Sequence, residues 1–191
     1  MGNRYYRSGA TIDAKEIVWN KLNPIGLYEE ILSFLLPLSS EYPGIQDWYF
    51  NKVIPGEQAN TRKTIRIYRD NRLVGLGIGK KEAFEEKICT VRVLPEYAGQ
   101  GIGSEIFERL MEWIGSDQPV ITVNDSKVAL FEPIFKKFGF RLTSIQRGVY
   151  AEGALEFFYN EPRALAQWLG PFTSDSDAAK LTEEEFCFLE K

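Results

Sequence analysis

The stretch Val91-Arg92-Val93-Leu94-Pro95-Glu96-Tyr97-Ala98-Gly99-Gln100-Gly101-Ile102-Gly103-Ser104 changes backbone pattern midway. Upstream of it, Ile88-Cys89-Thr90-Val91-Arg92-Val93 is rich in β-branched residues, which favours a strand from Glu85 to Val93, ended by Pro95. Downstream, Ile102, Ile106, Leu110, Trp113 and Ile114 form one apolar stripe opposite Glu105, Glu108, Arg109 and Glu112. A helix therefore opens at about Ser104, and Gly115 caps its end. The glycines at 99, 101 and 103 lie between strand and helix. A helix N-terminus leaves about four backbone N–H groups unpaired, and its dipole adds roughly half a positive charge. Glycine lets an anion approach those amides without a Cβ in the way. Such a loop is either a phosphate cradle that needs no basic side chain or a flexible connector.

Working outward, Val120 to Val123 reads as a short buried strand. Two strands joined by a helix form a βαβ unit and should run parallel. Before the unit comes a hairpin, Thr64–Arg69 and Leu73–Gly79, turned by Asp70-Asn71, which tolerate positive φ. Gly75, Gly77 and Gly79 share one face of the return strand, so either a ligand or a helix comes close to the backbone there. Further upstream, Lys15–Leu22 reads as a strand and Leu27–Leu36 as a helix stopped by Pro37. Tyr42–Val53 reads as a second helix carrying Ile45, Trp48 and Tyr49 inward, with Pro55-Gly56 as a loop. After the unit, Val128, Phe131, Phe135 and Phe138 mark a helix over 126–138, in which Pro133 either makes a kink or marks a late start. Arg141–Gln146 and Leu155–Tyr159 read as a closing antiparallel pair, followed by a short helix at Arg163–Leu169.

Composition excludes several classes. Among 191 residues there is no histidine and there are two cysteines, Cys89 and Cys187. A four-ligand Cys/His zinc site, a disulfide framework and histidine-based triads cannot be built from these. The cysteine usage fits a reducing cytoplasm. No apolar run approaches the length of a membrane span, and Met1–Tyr6 lacks the apolar core of a signal peptide. In 173–191, Asp175, Asp177, Glu183, Glu184, Glu185 and Glu190 face only Lys180 and Lys191, which accounts for the whole net charge of −4. The neutral remainder gives no broad electrostatic reason to bind nucleic acid. The local cluster Arg62, Lys63, Arg66, Arg69 and Arg72 reads as the solvated face of the hairpin.

Two familiar phosphate loops do not match. A Walker loop ends Gly-Lys-Ser/Thr, whereas Gly103 is followed by Ser104 and Glu105. A dinucleotide fingerprint wants Gly or Ala where Ser104 stands and usually lies on the first strand of its domain. The stretch closely resembles instead the acetyl-CoA motif of the GNAT N-acetyltransferase family, Val-x-Pro-x-x-Arg-Gly-x-Gly-Ile-Gly, with Ala98 where that motif usually has Arg or Gln. The order of elements over roughly residues 12–160 is also similar, including the helix ending Lys137-Phe138-Gly139-Phe140.

The resemblance implies a mixed α/β fold, mostly antiparallel, with a parallel splayed pair at the centre of its sheet. A GNAT domain over 1–160 would be followed by an acidic extension over 161–191. Pantetheine of acetyl-CoA would lie between the splayed strands, paired to backbone groups of Val91, Arg92 and Val93, with the pyrophosphate held by amides of Gly99, Gln100, Gly101, Ile102, Gly103 and Ser104. An amine acceptor would attack the thioester directly, without an acyl-enzyme.

Where the family often has a proton-donating tyrosine, this chain has Phe135, and its frequent asparagine early in the same helix is replaced by Val128. The acid is left unassigned, with Tyr150, Tyr159 and Ser126 as candidates. For the base, the family often draws a carboxylate from the motif strand, where Glu85 or Glu86 either serves or marks a solvated strand end. Cys89 reads as a small core residue rather than a nucleophile. A second reading stays open, a CoA-binding GNAT-fold sensor or interaction module, which Phe135 favours. Acceptor pockets in the family are built by the first helices and the last hairpin, where Tyr42, Trp48, Tyr49 and Tyr150 line a pocket or join the core. The acceptor's identity is open, and so is a homodimer.

Overall fold

The computed structural model describes residues 24–162. The expected strand Lys15–Leu22, the helix Arg163–Leu169 and the acidic extension lie outside the described residues. Helix α1 covers Pro24–Leu35 and ends in a 3-10 turn, Leu36–Leu38. A second helical segment, α2, spans 45–58 in three pieces: α-helical Ile45–Trp48, a π-helical turn Tyr49–Val53, and α-helical Ile54–Gln58. There follow β1 (Arg62–Arg69), β2 (Arg72–Glu82), β3 (Glu85–Val93), α3 (Ile102–Ile114), β4 (Val120–Asn124), α4 (Val128–Phe138), β5 (Leu142–Arg147) and β6 (Leu155–Tyr159).

The strands make one sheet in the order β1-β2-β3-β4-β6-β5. Every pairing is antiparallel except β3 with β4, at the sheet's centre. The tight turn between β1 and β2 is made by Asp70 and Asn71, both at positive φ, 49° and 62°, as two-residue hairpins require.

Two apolar clusters cover the two faces. On one, α3 and α4 pack on Ile65, Ile67, Ile88, Ile121, Val123 and Tyr159. On the other, α1 and α2 pack on Leu73, Leu76 and Ile78. The glycine face of β2 meets helix α3. A Cβ at Gly77 would stand 2.2 Å from Ile106 Cγ2, and one at Gly75 would stand 2.5 Å from Ile102 Cγ2. The helix, not a ligand, is what approaches that backbone.

Three expectations are corrected. Pro55-Gly56 is helical rather than a loop, because proline is tolerated in a first helical turn, and Gly56 is small enough for the Arg62 stem to pack on it. Helix α4 does not start late at Pro133 but runs through it from Val128, after a 3-10 turn at Asp125–Lys127. Arg62 is not on a solvated face. It is 8% exposed, lies under the ring of Trp48 and reaches Cys89 Sγ at 3.7 Å, its alkyl stem buried and its head partnered. Arg69 and Arg72 do stay outside, paired with Glu105 and Glu96. Among the described residues no helix is long and apolar enough to cross a membrane.

Candidate functional site

The parallel ladder between β3 and β4 has only two rungs, Lys87↔Val120 and Ile88↔Ile121. Immediately after, β3 carries a bulge. Ile78 of β2 opposes Thr90 while Gly79 opposes Ile88, so Cys89 is the extra residue. A bulge bends its strand and increases its twist, and here it falls where β3 leaves β4. Beyond it β3 stays paired with β2 as far as Val93, while β4 turns to β6. The result is an opening between β3 and β4.

The backbone that faces this opening follows from the register. Leu94 N–H donates to Val74 C=O at 2.9 Å. Hydrogen-bonded and non-bonded pairs alternate along an antiparallel ladder, so Arg92 and Leu94 turn their backbone groups to β2, while Val91 and Val93 turn theirs toward the opening. Arg92's side chain is engaged on the opposite side of the sheet from α3. Its guanidinium donates to Phe34 C=O at 2.7 Å and stacks over the Phe34 ring at 4.5 Å. Of the three residues expected to hold pantetheine, Val91 and Val93 stand where they can, and Arg92 anchors α1.

At the wide end of the opening stands the glycine loop. Gly99 and Gly101 have φ of 75° and 81°, and a Cβ at either would meet nothing within 4 Å. The space over the loop is free, and Ala98 to Gly101 are exposed. Gly101 is the N-cap of α3 and has no side-chain cap, so the first amides of this 13-residue helix point outward unsatisfied. Gln100 folds back, its Nε2 donating to Glu96 C=O at 3.3 Å. Ile102 is buried in the core and offers only its backbone. Glu105, in the first turn, is offset by Arg109 at 3.6 Å and Arg69 at 3.9 Å.

The face covered by α1 and α2 holds a polar cluster beside the opening. Asn124, at the end of β4, is buried and orders its neighbours. Its Oδ1 accepts from Ser126 N–H at 3.1 Å and from Ser126 Oγ at 2.8 Å. Because a backbone N–H can only donate, the amide orientation is set, and Nδ2 donates to Glu156 Oε1 at 3.1 Å. Glu156 is 0% exposed, and its Oε2 has no hydrogen-bond partner among the described residues. Burial pushes the Glu156 carboxyl above its ordinary value, and the charges of Asp125 and Glu41 add to this against the Asn124 hydrogen bond and Lys87. Tyr42, between α1 and α2, lies beside Asn124 and Glu156; burial, then the Glu156 charge, raises its hydroxyl far above the ordinary value and keeps it protonated. The Tyr42 ring meets Tyr150 edge-on at 5.3 Å, and the Lys87 ammonium donates to Tyr150 Oη at 3.3 Å.

The candidate acids and bases sort themselves accordingly. Tyr150, on the connection from β5 to β6, belongs to this cluster. Tyr159 does not, since its ring packs on Phe135 at 4.2 Å on the other face. Phe135 is 4% exposed and lies among Phe107, Phe131 and Phe140. Ser126 spends its hydroxyl proton on Asn124. Glu85 is held by Lys80 at 2.6 Å and faces Lys87 at 4.0 Å. Burial raises its carboxyl, but the Lys87 and Lys80 charges outweigh burial and hold it below the ordinary value. It is an ion-pair partner, poorly placed to take a proton, and Glu86 is exposed. Burial raises the Cys89 thiol despite the nearby Lys87 and Arg62, which disfavours a thiolate there. Tyr49 is core, fully buried.

Sequence reasoning missed Glu156, Asn124 and Tyr42 as a unit. One signal was available. Glu156 is the lone charge in the strand Leu155-Glu156-Phe157-Phe158-Tyr159, and charged residues are seldom fully buried without a partner.

Residues 45–154 match the model of the acetyltransferase (GNAT) domain family. No curated protein sequence matches the chain. Among solved structures, an aminoglycoside 6'-N-acetyltransferase complexed with coenzyme A superposes with a TM-score of 0.54 at 12% identity, covering 74% of this chain and 95% of that one. A nourseothricin acetyltransferase gives 0.48 at 17% identity, covering 53% of this chain and 65% of its own. A GNAT family acetyltransferase from Elizabethkingia anophelis with acetyl-CoA bound gives 0.45 at 16% identity, covering 56% and 79%. The first of these likenesses establishes a shared fold.

Proposed function

Since the chain belongs to the GNAT acetyltransferase family, we infer that it transfers the acetyl group of acetyl-CoA directly to an amine acceptor. The observation that carries this reading is the opening itself. The β3–β4 ladder stops after Ile88↔Ile121, the backbone of Val91 and Val93 faces the gap, and the gap leads to the uncapped N-terminus of α3. Extended amide-bearing pantetheine suits a half-strand of free donors and acceptors, and a pyrophosphate suits a helix N-terminus lined with glycine. Val91 and Val93 would hold the first, and the amides from Gly99 to Ser104 the second.

The acceptor side is the cluster between the α1–α2 connection and the β5–β6 connection. Tyr150 is the hydroxyl there that can supply a proton to the departing thiolate. The acceptor's identity is not encoded in any pattern of these residues. A binding module that never turns over would share the opening, and turnover is what separates it from an enzyme.

The reading is tested by a thermal melt with acetyl-CoA, with adenosine and NAD as controls, followed by a free-thiol assay with amines. Ligand at about 100 times its Kd adds roughly 2.7 kcal/mol, a rise on the order of 5–10 °C for a chain of this size. A rise with acetyl-CoA alone, and thiol release that depends on added amine, are expected. No rise at millimolar acetyl-CoA contradicts the reading. A rise without amine-dependent thiol release makes the protein a CoA-binding module.

A further inference from the structure

We propose that Glu156, on β6 rather than on the motif strand, is the carboxylate that takes the acceptor's proton during acetyl transfer. This rests on the function proposed above, and it locates the base that Glu85 cannot supply.

Three observations bear on it. First, Glu156 Oε2 is a buried oxygen without a partner among the described residues, on a residue with no exposed surface there. Leaving such a group unpaired costs on the order of 1–3 kcal/mol, more when charged, which a structural role does not explain. Second, the residue is pinned. Asn124 Nδ2 holds Oε1 at 3.1 Å, and Ser126 holds Asn124, so the free Oε2 has a defined direction. Third, burial and the neighbouring charges hold the Glu156 carboxyl above its ordinary value, so it binds a proton more readily than a solvated glutamate does. Glu41 and Tyr42 reach it from the α1–α2 connection, Asp125 from the end of β4 and Lys87 from β3. Glu41 is partly neutralised by Lys127 at 3.1 Å, and Lys87 is shared with Tyr150. Thr122 Oγ1, two residues before Asn124 on the same face of β4, is a second buried polar atom without a partner.

Tyr42 and Tyr150 stand on separate connections and touch only edge-on. In the proposed reaction the acceptor enters beside Tyr42, the ring that feels the Glu156 charge. Its nitrogen lone pair attacks the thioester carbonyl carbon. The C–N bond forms, the C–S bond breaks with its electron pair on sulfur, and one N–H proton passes to the Glu156 carboxylate. The resulting carboxylic acid returns the proton to water after the amide leaves.

Glu156→Gln tests this, with hydroxylamine as a probe amine small enough to enter any acceptor site. The variant keeps the Asn124 contact and cannot ionise. Because the folded chain holds the Glu156 proton more tightly than the unfolded chain, the wild type loses stability as pH rises through that group's range, and the variant does not. At neutral pH the variant should therefore melt no lower than the wild type, and should bind acetyl-CoA to within about twofold. Its kcat should fall by about 100-fold or more, and the acid limb of the wild-type pH–rate profile should disappear. An unchanged rate and profile overturns the proposal. A wild type that does not bind acetyl-CoA, or that binds it yet releases no thiol with hydroxylamine above the uncatalysed rate, overturns instead the function on which the proposal rests.

Discussion

Acetyl-CoA binds the Gly101→Val variant at least about tenfold more weakly than the unmodified protein, a loss of about 1.4 kcal/mol or more. Gly101 ends the loop and caps α3 at φ 81°, and a Cβ there would project into free space. That space is where a phosphate would sit against the first amides of the helix. Valine fills it with a branched side chain. It also strains the backbone, since a left-handed conformation costs an L-residue roughly 1–2 kcal/mol. The strain lowers the melting temperature whatever the loop does, so a control is needed. Gly148 lies on the β5–β6 connection at φ 74°, and a Cβ added there would likewise meet nothing within 4 Å. Gly148→Val should show similar strain and unchanged acetyl-CoA affinity by calorimetry. If Gly101→Val binds as well as the unmodified protein, the loop is only a connector.

The largest stability effect is expected at Gly77. The glycines of β2 let α3 lie on the sheet, and the clearance at each is different. A Cβ would come within 2.2 Å of Ile106 at Gly77, 2.5 Å of Ile102 at Gly75 and 3.1 Å of Leu110 at Gly79. Ile106 and Leu110 are fully buried, so neither can swing into solvent. Overpacking a close-packed core costs typically 1–3 kcal/mol. Gly77→Ala should lose about 3 kcal/mol, seen as a fall of roughly 6–12 °C in Tm. Gly75→Ala should lose less, and Gly79→Ala under about 1 kcal/mol. Chemical denaturation of the three variants checks the order. Equal costs would mean that α3 shifts as a body and relieves all three contacts together.

Much of this architecture was legible in the residues because local signals and tertiary needs agree. The alternation in β1 and β2, the Asp70-Asn71 turn and the amphipathic stripe of α3 each name one conformation, and each is found. The glycine loop's place between a strand and a helix was legible for the same reason, and Gly99 and Gly101 are found there at positive φ. Where signals conflict, tertiary context decided. Pro55-Gly56 reads as a breaker, yet proline is acceptable where a helical turn restarts after the π-turn. Arg62 reads as surface, yet Gly56 and Trp48 bury its stem.

The polar cluster was hidden for a different reason. Tyr42, Asn124 and Glu156 come from three separate elements, and only the pairing of β4 with β6 brings the last two together. Glu85 attracted attention because it is on the motif strand, but Lys80, its partner at 2.6 Å, is contributed by β2. That ion pair is a product of hairpin register, which no local pattern announces.

The most direct test of the central claim, that the donor lies between β3 and β4, is amide hydrogen exchange with and without acetyl-CoA. In the protein alone the amides of Val91 and Val93 face the opening and should exchange readily, while those of Arg92 and Leu94, bonded to β2, should be protected. Saturating acetyl-CoA should slow Val91 and Val93 by about tenfold or more and leave Arg92 and Leu94 as they were. Unchanged exchange at Val91 and Val93, in protein that calorimetry shows to be saturated, would place the ligand elsewhere and contradict the account.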